Sequence, residues 1–255
     1  MSTPVAIYPG LAGKVAFVSG GATGIGAAIV EKLHAQGCRV AFVDIDARSA
    51  EQLCARLAAQ GPAPLFIACD LCDLEALQAA IATVAARWGA IDVLVNNAAH
   101  DERHAIEAVT PAYFQSRIDV NLRHYFFAAQ AVLPGMQQKR AGSIINFSSI
   151  SYKIKAGNYP LYAMCKAAAH GLTRSMARDI GQHGVRVNTV TPGWVMTERQ
   201  LALHVDAAGE AEIARNQCLP GQLLPGDLAD MVLFLASDAS RMCTAQEFVV
   251  DAGWT

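Results

Sequence analysis

Short β-branched runs alternate with longer Ala/Leu-rich stretches along this chain. Lys14–Ser19, Arg39–Asp44, Pro64–Cys69, Asp92–Asn96, Gly142–Phe147, Val185–Val190 and Glu247–Val250 are nearly continuous apolar runs. That is the pattern of strands covered on both faces. Between them Glu51–Ala59, Leu74–Trp88, Pro111–Met136, Leu161–Gln182 and Leu228–Ser237 read as helices. Parallel strands need long crossovers, so the alternation predicts an α/β fold: a seven-stranded parallel sheet with helices on both faces. No repeat or low-complexity linker divides the chain, which predicts a single domain over 1–255. Gly193–Gly226 is the one long stretch without a strand, and an excursion of that length predicts a substrate lid around 193–226.

Composition narrows the class. Of 255 residues, 53 % are hydrophobic and 16 % charged, against about 25 % charged in an average globular chain. That excludes disorder. A net charge of −2 leaves no basic footprint for nucleic acid. No apolar run approaches the ~18 residues of a membrane span. The first residues carry no charged and apolar leader, so the expected compartment is the cytoplasm. Seven cysteines, an odd and scattered set, read as free thiols. Cys69-x-x-Cys72 lacks the second pair that a zinc ribbon needs, and His100 and His104 lack the order His-Glu-x-x-His, so no metal is expected.

Candidate chemistry begins after the first strand. Gly20, Gly24 and Gly26 lie in Ser19-Gly-Gly-Ala-Thr-Gly-Ile-Gly26. Glycines there allow a sharp turn, close approach of a phosphate to the backbone, and tight packing of the next helix on the sheet. The N–H groups of that helix point at a pyrophosphate. Asp44 ends the second strand twenty residues after Gly24, the separation expected of an acid on the adenosine ribose. A carboxylate there favours NAD over NADP, with capping of the next helix as its alternative role. Asp70, ending the third strand, is positioned to hold the adenine amino group. Tyr162 and Lys166 share one helix face. Ser149 ends the fifth strand, at the sheet edge where such folds bind ligands. Asn121 lies inside a long helical run, where Asn is a poor helix former.

These residues together resemble the short-chain dehydrogenase/reductase family. Gly20-x3-Gly24-Ile25-Gly26, Asp70-Leu71, Asn96-Asn97-Ala98-Ala99, Asn121, Ser149, Tyr162-x3-Lys166 and Pro192-Gly193-x3-Thr197 carry the likeness, from about Leu11 to Thr255. Ala99 departs from the family's usual Gly. The resemblance implies a doubly wound Rossmann-type domain and a catalytic tetrad of Asn121, Ser149, Tyr162 and Lys166. Tyr162 is then the base, Ser149 holds the reacting oxygen, and Lys166 binds the nicotinamide ribose. Asn121 maintains a helix irregularity and a water relay. Thr23, Ile25, Leu71, Asn96 and Ala98 join the cofactor contacts, and Val195 and Thr197 receive the carboxamide. An ammonium four residues away favours tyrosinate, lowering a pKa ordinarily about 10. The family's tetramers form through the two longest helices, here Pro111–Met136 and Leu161–Gln182, which implies a homotetramer.

Asn96–His104, Asn121–His124, Asn146–Tyr152, Thr197–Gln200, Gln217–Leu219 and Asp251–Trp254 resemble bacterial sugar dehydrogenases that oxidise a pyranose at C1. The implied substrate is an aldopentose or 6-deoxy sugar. His100, Ser151 and Gln200 then line the mouth beside Ser149 and Tyr162, and Trp194 forms the wall. A keto-deoxy sugar acid, a 3-oxoacyl thioester or a steroid is the second reading, though the polar lid argues for a polar substrate. A dinucleotide sensor without turnover would lack Tyr162 or Lys166, and both are present.

Overall fold

The structure, a computed structural model, describes residues 6–255. The seven apolar runs become β1 (Val15–Ser19), β2 (Arg39–Asp44), β3 (Leu65–Ala68), β4 (Val93–Asn96), β5 (Gly142–Phe147), β6 (Val185–Pro192) and β7 (Glu247–Val250). All are parallel, in the order β3-β2-β1-β4-β5-β6-β7. The winding direction reverses between β1 and β4, and the crevice at such a reversal is where these sheets take ligands.

The crossovers are α1 (Gly24–Ala35), α2 (Ala47–Ala58), α3 (Leu74–Trp88), α4 (Pro111–Ile118), α5 (His124–Lys139), α6 (Pro160–Ile180), α7 (Glu198–Leu203), α8 (Ala207–Asn216) and α9 (Pro225–Ala236). Alternate strand side chains serve opposite cores. Val18, Phe42, Val95 and Ile145 pack with Ile29 of α1, Leu53 of α2 and Val232 of α9. Phe17, Val43, Leu94 and Ile144 face Leu77 of α3, Ala128 of α5 and Ala177 of α6. Covering on both sides is why each strand reads as an unbroken apolar run.

Three differences from the periodicity have local causes. α2 starts at Ala47 rather than Glu51, because the Asp46 carboxylate accepts from Ser49 N at 3.0 Å, a cap contributing about 1 kcal/mol. Pro111–Met136 is not one regular helix. A π-turn at Asp119–Arg123 separates α4 from α5. The 193–226 excursion holds the short α7 and α8, and an isolated bridge between Val195 and Leu223 ties its two ends together. Among the described residues no helix is long and apolar enough to cross a membrane.

Candidate active site

The cofactor end is built by glycines that admit nothing larger. A Cβ at Gly26 would meet the Gly20 carbonyl oxygen at 1.8 Å, and Gly20 itself has φ +68°. Asn97 stitches this loop to the end of β4, its Nδ2 donating to the carbonyls of Ser19 and Gly20 at 3.1 and 2.9 Å. Thr23 precedes α1 without a side-chain cap, so the first N–H groups of α1 face the crevice unclaimed by side chains. Ile25 lies in that same first turn.

Asp44 sits between this loop and α2. Its Oδ2 accepts from Ala22 N at 2.9 Å and its Oδ1 from Asp46 N at 3.0 Å. Asp46, not Asp44, caps α2. The Asp44 carboxylate is therefore fixed beside the glycine loop with lone pairs to spare. Arg39 is held at the far strand end by the Gly13 carbonyl. Asp70 Oδ1 accepts from Cys72 N at 2.8 Å and leaves the second oxygen exposed, with Leu71 buried beneath. A dinucleotide fits this donor and acceptor set: uncapped amides for phosphates, a fixed carboxylate for ribose. Thr197 closes the crevice, its methyl 3.2 Å from where a Gly24 Cβ would stand. Its hydroxyl caps α7, accepting from Gln200 N. Val195 is buried beside it.

Asn96 differs from expectation. Its side chain lies inside the sheet, donating to Asn146 Oδ1 at 2.9 Å and to the Tyr125 carbonyl, so it supports the strand ends rather than facing the crevice. Ala98 backs Gly20 directly, with its N–H bonded to Ser19 Oγ at 3.2 Å.

At the chemical end β5 delivers Ser149, and the first turns of α6 deliver Tyr162 and Lys166. Ser149 Oγ accepts from Ser151 N at 3.2 Å. Ser151 is buried with its own hydroxyl unpartnered. Asn121, 0 % exposed within the π-turn, is tied to His100 in both directions. His100 N donates to Asn121 Oδ1 at 2.8 Å, and Asn121 Nδ2 donates to the His100 carbonyl at 3.3 Å. The wide turn thereby fixes the loop after β4.

The charge arrangement corrects one expectation. Lys166 is 1 % exposed, and its ammonium donates to Tyr125 Oη at 2.8 Å and the Phe147 carbonyl at 3.0 Å. It stands 5.5 Å from the Tyr162 ring centroid, and its hydrogen bonds go to Tyr125 and Phe147 rather than to the Tyr162 hydroxyl. Burial pulls Lys166 down to about 7. Burial, then the Asp101 charge, push Tyr162 up, against the pull of a hydrogen bond with Ser149. A buried ammonium takes the nearest acceptors, and here these lie on the floor behind Tyr162. Tyr125 went unnoticed in the sequence because an aromatic in an apolar helix reads as core.

The mouth gathers the other expected residues. Arg117 Nη1 donates to His100 Nδ1 at 3.1 Å. Trp194 Nε1 donates to Gln200 Oε1 at 3.1 Å. Asp101, Arg103 and Arg199 complete this rim.

A family model described as enoyl-(acyl carrier protein) reductase matches residues 20–255. The chain is 46 % identical to a probable galactose dehydrogenase of Rhizobium meliloti over 99 % of both chains. It is 45 % identical to a D-xylose 1-dehydrogenase of Caulobacter vibrioides over 98 % of both. Among solved structures, a blue fluorescent protein from a metagenomic library, in complex with NADPH, superposes with a TM-score of 0.87. It shares 35 % identity, over 96 % of this chain and 99 % of that one.

Proposed function

Because the chain belongs to the short-chain dehydrogenase/reductase family, we propose that it oxidises an aldose, a pentose or 6-deoxyhexose, at C1 to the lactone, with NAD preferred over NADP. The observation carrying this reading is the grouping of Tyr162, Ser149 and Lys166 beside a lid whose rim is polar. Relatives named for galactose and D-xylose support a sugar. An acyl chain or steroid would want an apolar lid.

In this reading Tyr162 accepts the proton of the C1 hydroxyl. The Ser149 hydroxyl donates to the reacting oxygen and holds it against Tyr162. Lys166 turns from Tyr125 toward the nicotinamide ribose. Asn121 positions the loop carrying His100, and Ser151, Trp194 and Gln200 shape the sugar side. Gly20, Thr23, Gly24, Ile25, Gly26 and Ala98 cradle the pyrophosphate side. Asp44 takes the ribose, Asp70 and Leu71 the adenine, and Val195 and Thr197 the carboxamide. When bound, the dinucleotide supplies the acceptor for the C1 hydride. The 193–226 segment is the lid over a single 1–255 domain. We place this activity in a cytoplasmic homotetramer; seven unpaired cysteines suit a reducing compartment.

The test is NAD reduction against a panel of aldoses, sugar acids and β-hydroxyacyl esters. Aldoses are expected to give the fastest turnover, and an acyl ester outpacing every sugar would overturn the assignment. Tyr162→Phe keeps the fold and cofactor binding and loses about 10²–10⁴ in turnover, the usual scale for a positioned acid–base group. Because tyrosinate is the active base and burial raises Tyr162, the rate climbs from neutral into mildly alkaline pH. A falling profile in folded protein would remove Tyr162 from that role.

A further inference from the structure

One carboxylate that the proposed reaction leaves unused stands where the lid meets the wall around Tyr162. Asp101 leaves the loop after β4. Its Oδ1 accepts from Arg199 Nη2 at 3.2 Å, its Oδ2 accepts from Gln200 Nε2 at 3.1 Å, and Arg103 Nη1 lies 3.5 Å from Oδ2. Arg199 and Gln200 belong to α7, so these bonds join segments 98 and 99 residues apart.

The contacts continue on both sides. Gln200 is oriented by the Trp194 indole. Trp194 lies 6.2 Å from Trp254, ring to ring, and its edge stands 3.3 Å from where a Cβ at Gly209 of α8 would be. In the other direction the Arg103 guanidinium covers the Tyr159 ring at 3.8 Å, and the Tyr159 and Tyr162 rings are 5.6 Å apart. One belt thus runs from α8 through Trp194, Gln200, Asp101, Arg103 and Tyr159 to Tyr162. Asp101 is its only carboxylate, and both oxygens already have partners. That occupancy suits a fastener better than a sugar ligand.

We propose that Asp101 is a positioning residue: its carboxylate latches the 193–226 lid to the Tyr162 wall and is the fixed negative charge of that wall. The proposal rests on the reading of Tyr162 as base. The groups facing Tyr162 are Asp101 and Arg103 from the loop after β4, Tyr125 from α5, Ser149 after β5, and Tyr159 and Lys166 from α6. Of these Asp101 alone is anionic at neutral pH. A nearby like charge disfavours tyrosinate, so removing it eases the proton from Tyr162. Burial would raise the Asp101 carboxyl itself, yet Gln200, Arg103, Arg199 and His204 together hold it below the usual range. The latch therefore stays charged across the working pH.

The experiment uses the full chain and its Asp101→Asn, Asp101→Ala and Asp101→Glu variants, with two readouts. The first is tryptic nicking after Arg199 and Arg215, followed by mass spectrometry. A loosened lid should be cut about five- to tenfold faster, the effect of losing a partly exposed ion-pair cluster, with Ala above Asn. The second is the midpoint of the alkaline rise in kcat/KM for the best aldose. It should fall by roughly half a pH unit or more in Asn and Ala, as expected for deleting one charge at this range. Glu restores the charge and the parental midpoint. Unchanged nicking overturns the latch, and an unchanged midpoint overturns the charge assignment. If the parent oxidises no aldose, nicking still decides the latch, and the proposed reaction alone falls.

Discussion

In the proposed binding mode the Asp44 carboxylate would meet a free ribose hydroxyl as an acceptor and a 2′-phosphate as a like charge. Its fixed bonds to Ala22 N and Asp46 N keep it from turning away. One such contact in a partly exposed groove is worth about 2–3 kcal/mol, or roughly 30- to 150-fold in kcat/KM. NAD is therefore expected to be favoured over NADP, and Asp44→Ala to narrow or reverse the gap, measured as kcat/KM for both cofactors at one saturating sugar. Equal parental efficiencies would assign the choice to another group. Asp44, Tyr162 and Lys166 were legible in the sequence because their chemistry lies at short, fixed spacings. Asp101 was not, since its partners lie nearly a hundred residues away and only folding brings them together. The retreat of Lys166 onto Tyr125 was hidden for the same reason.

The seven strands were legible because burial on both faces leaves an unbroken apolar signature. The π-turn at Asp119–Arg123 was foreshadowed only by the resemblance, through Asn121, because the residues around it are too mixed in polarity for periodicity to place it. That turn sends His124 inward, fully buried, with neither ring nitrogen in hydrogen-bonding geometry. Burial, then the Lys166 charge, pull His124 down to about 3, although the backbone of Val120 and Ala98 favours its charged form. The folded state thus holds His124 neutral while the unfolded chain takes up a proton below pH 6.5. Stability from this group is intact above pH 6.5 and is lost as pH falls toward 3. Linkage puts the loss at about 2 kcal/mol by pH 5. His124→Leu removes the ring and should lower the drop in Tm between pH 7 and pH 5 by several degrees. Identical drops in parent and variant would show that His124 does not govern acid stability.

Across the whole molecule, one apolar face stands out. Ile118, Leu122, Phe126, Phe127, Ala168 and Leu172 line a cleft between the π-turn, α5 and α6. Phe126 is 45 % exposed, and Phe114 of α4 and Met164 of α6 are each 40 % exposed. Exposed apolar surface of this kind often marks an interface, and the proposed homotetramer would use it. The parent should sediment as a tetramer, and Phe126→Asp as a smaller species with unchanged secondary structure. Identical sedimentation of the two would place the assembly surface elsewhere.

The strand order has a consequence for how the chain is made. Val93, the β4 partner of Ala16, is synthesised seventy-seven residues later, the longest wait between neighbouring strands in the sheet. At usual translation speeds that is about 4–15 s. Throughout it β1, central in the finished sheet, can be paired with β2 alone, and its other row of N–H and C=O groups stays open. An open apolar edge is a template for pairing with other chains. A strand interior to the finished sheet thus waits longest for its second neighbour on the ribosome, and shielding by a chaperone matters most before Val93 emerges.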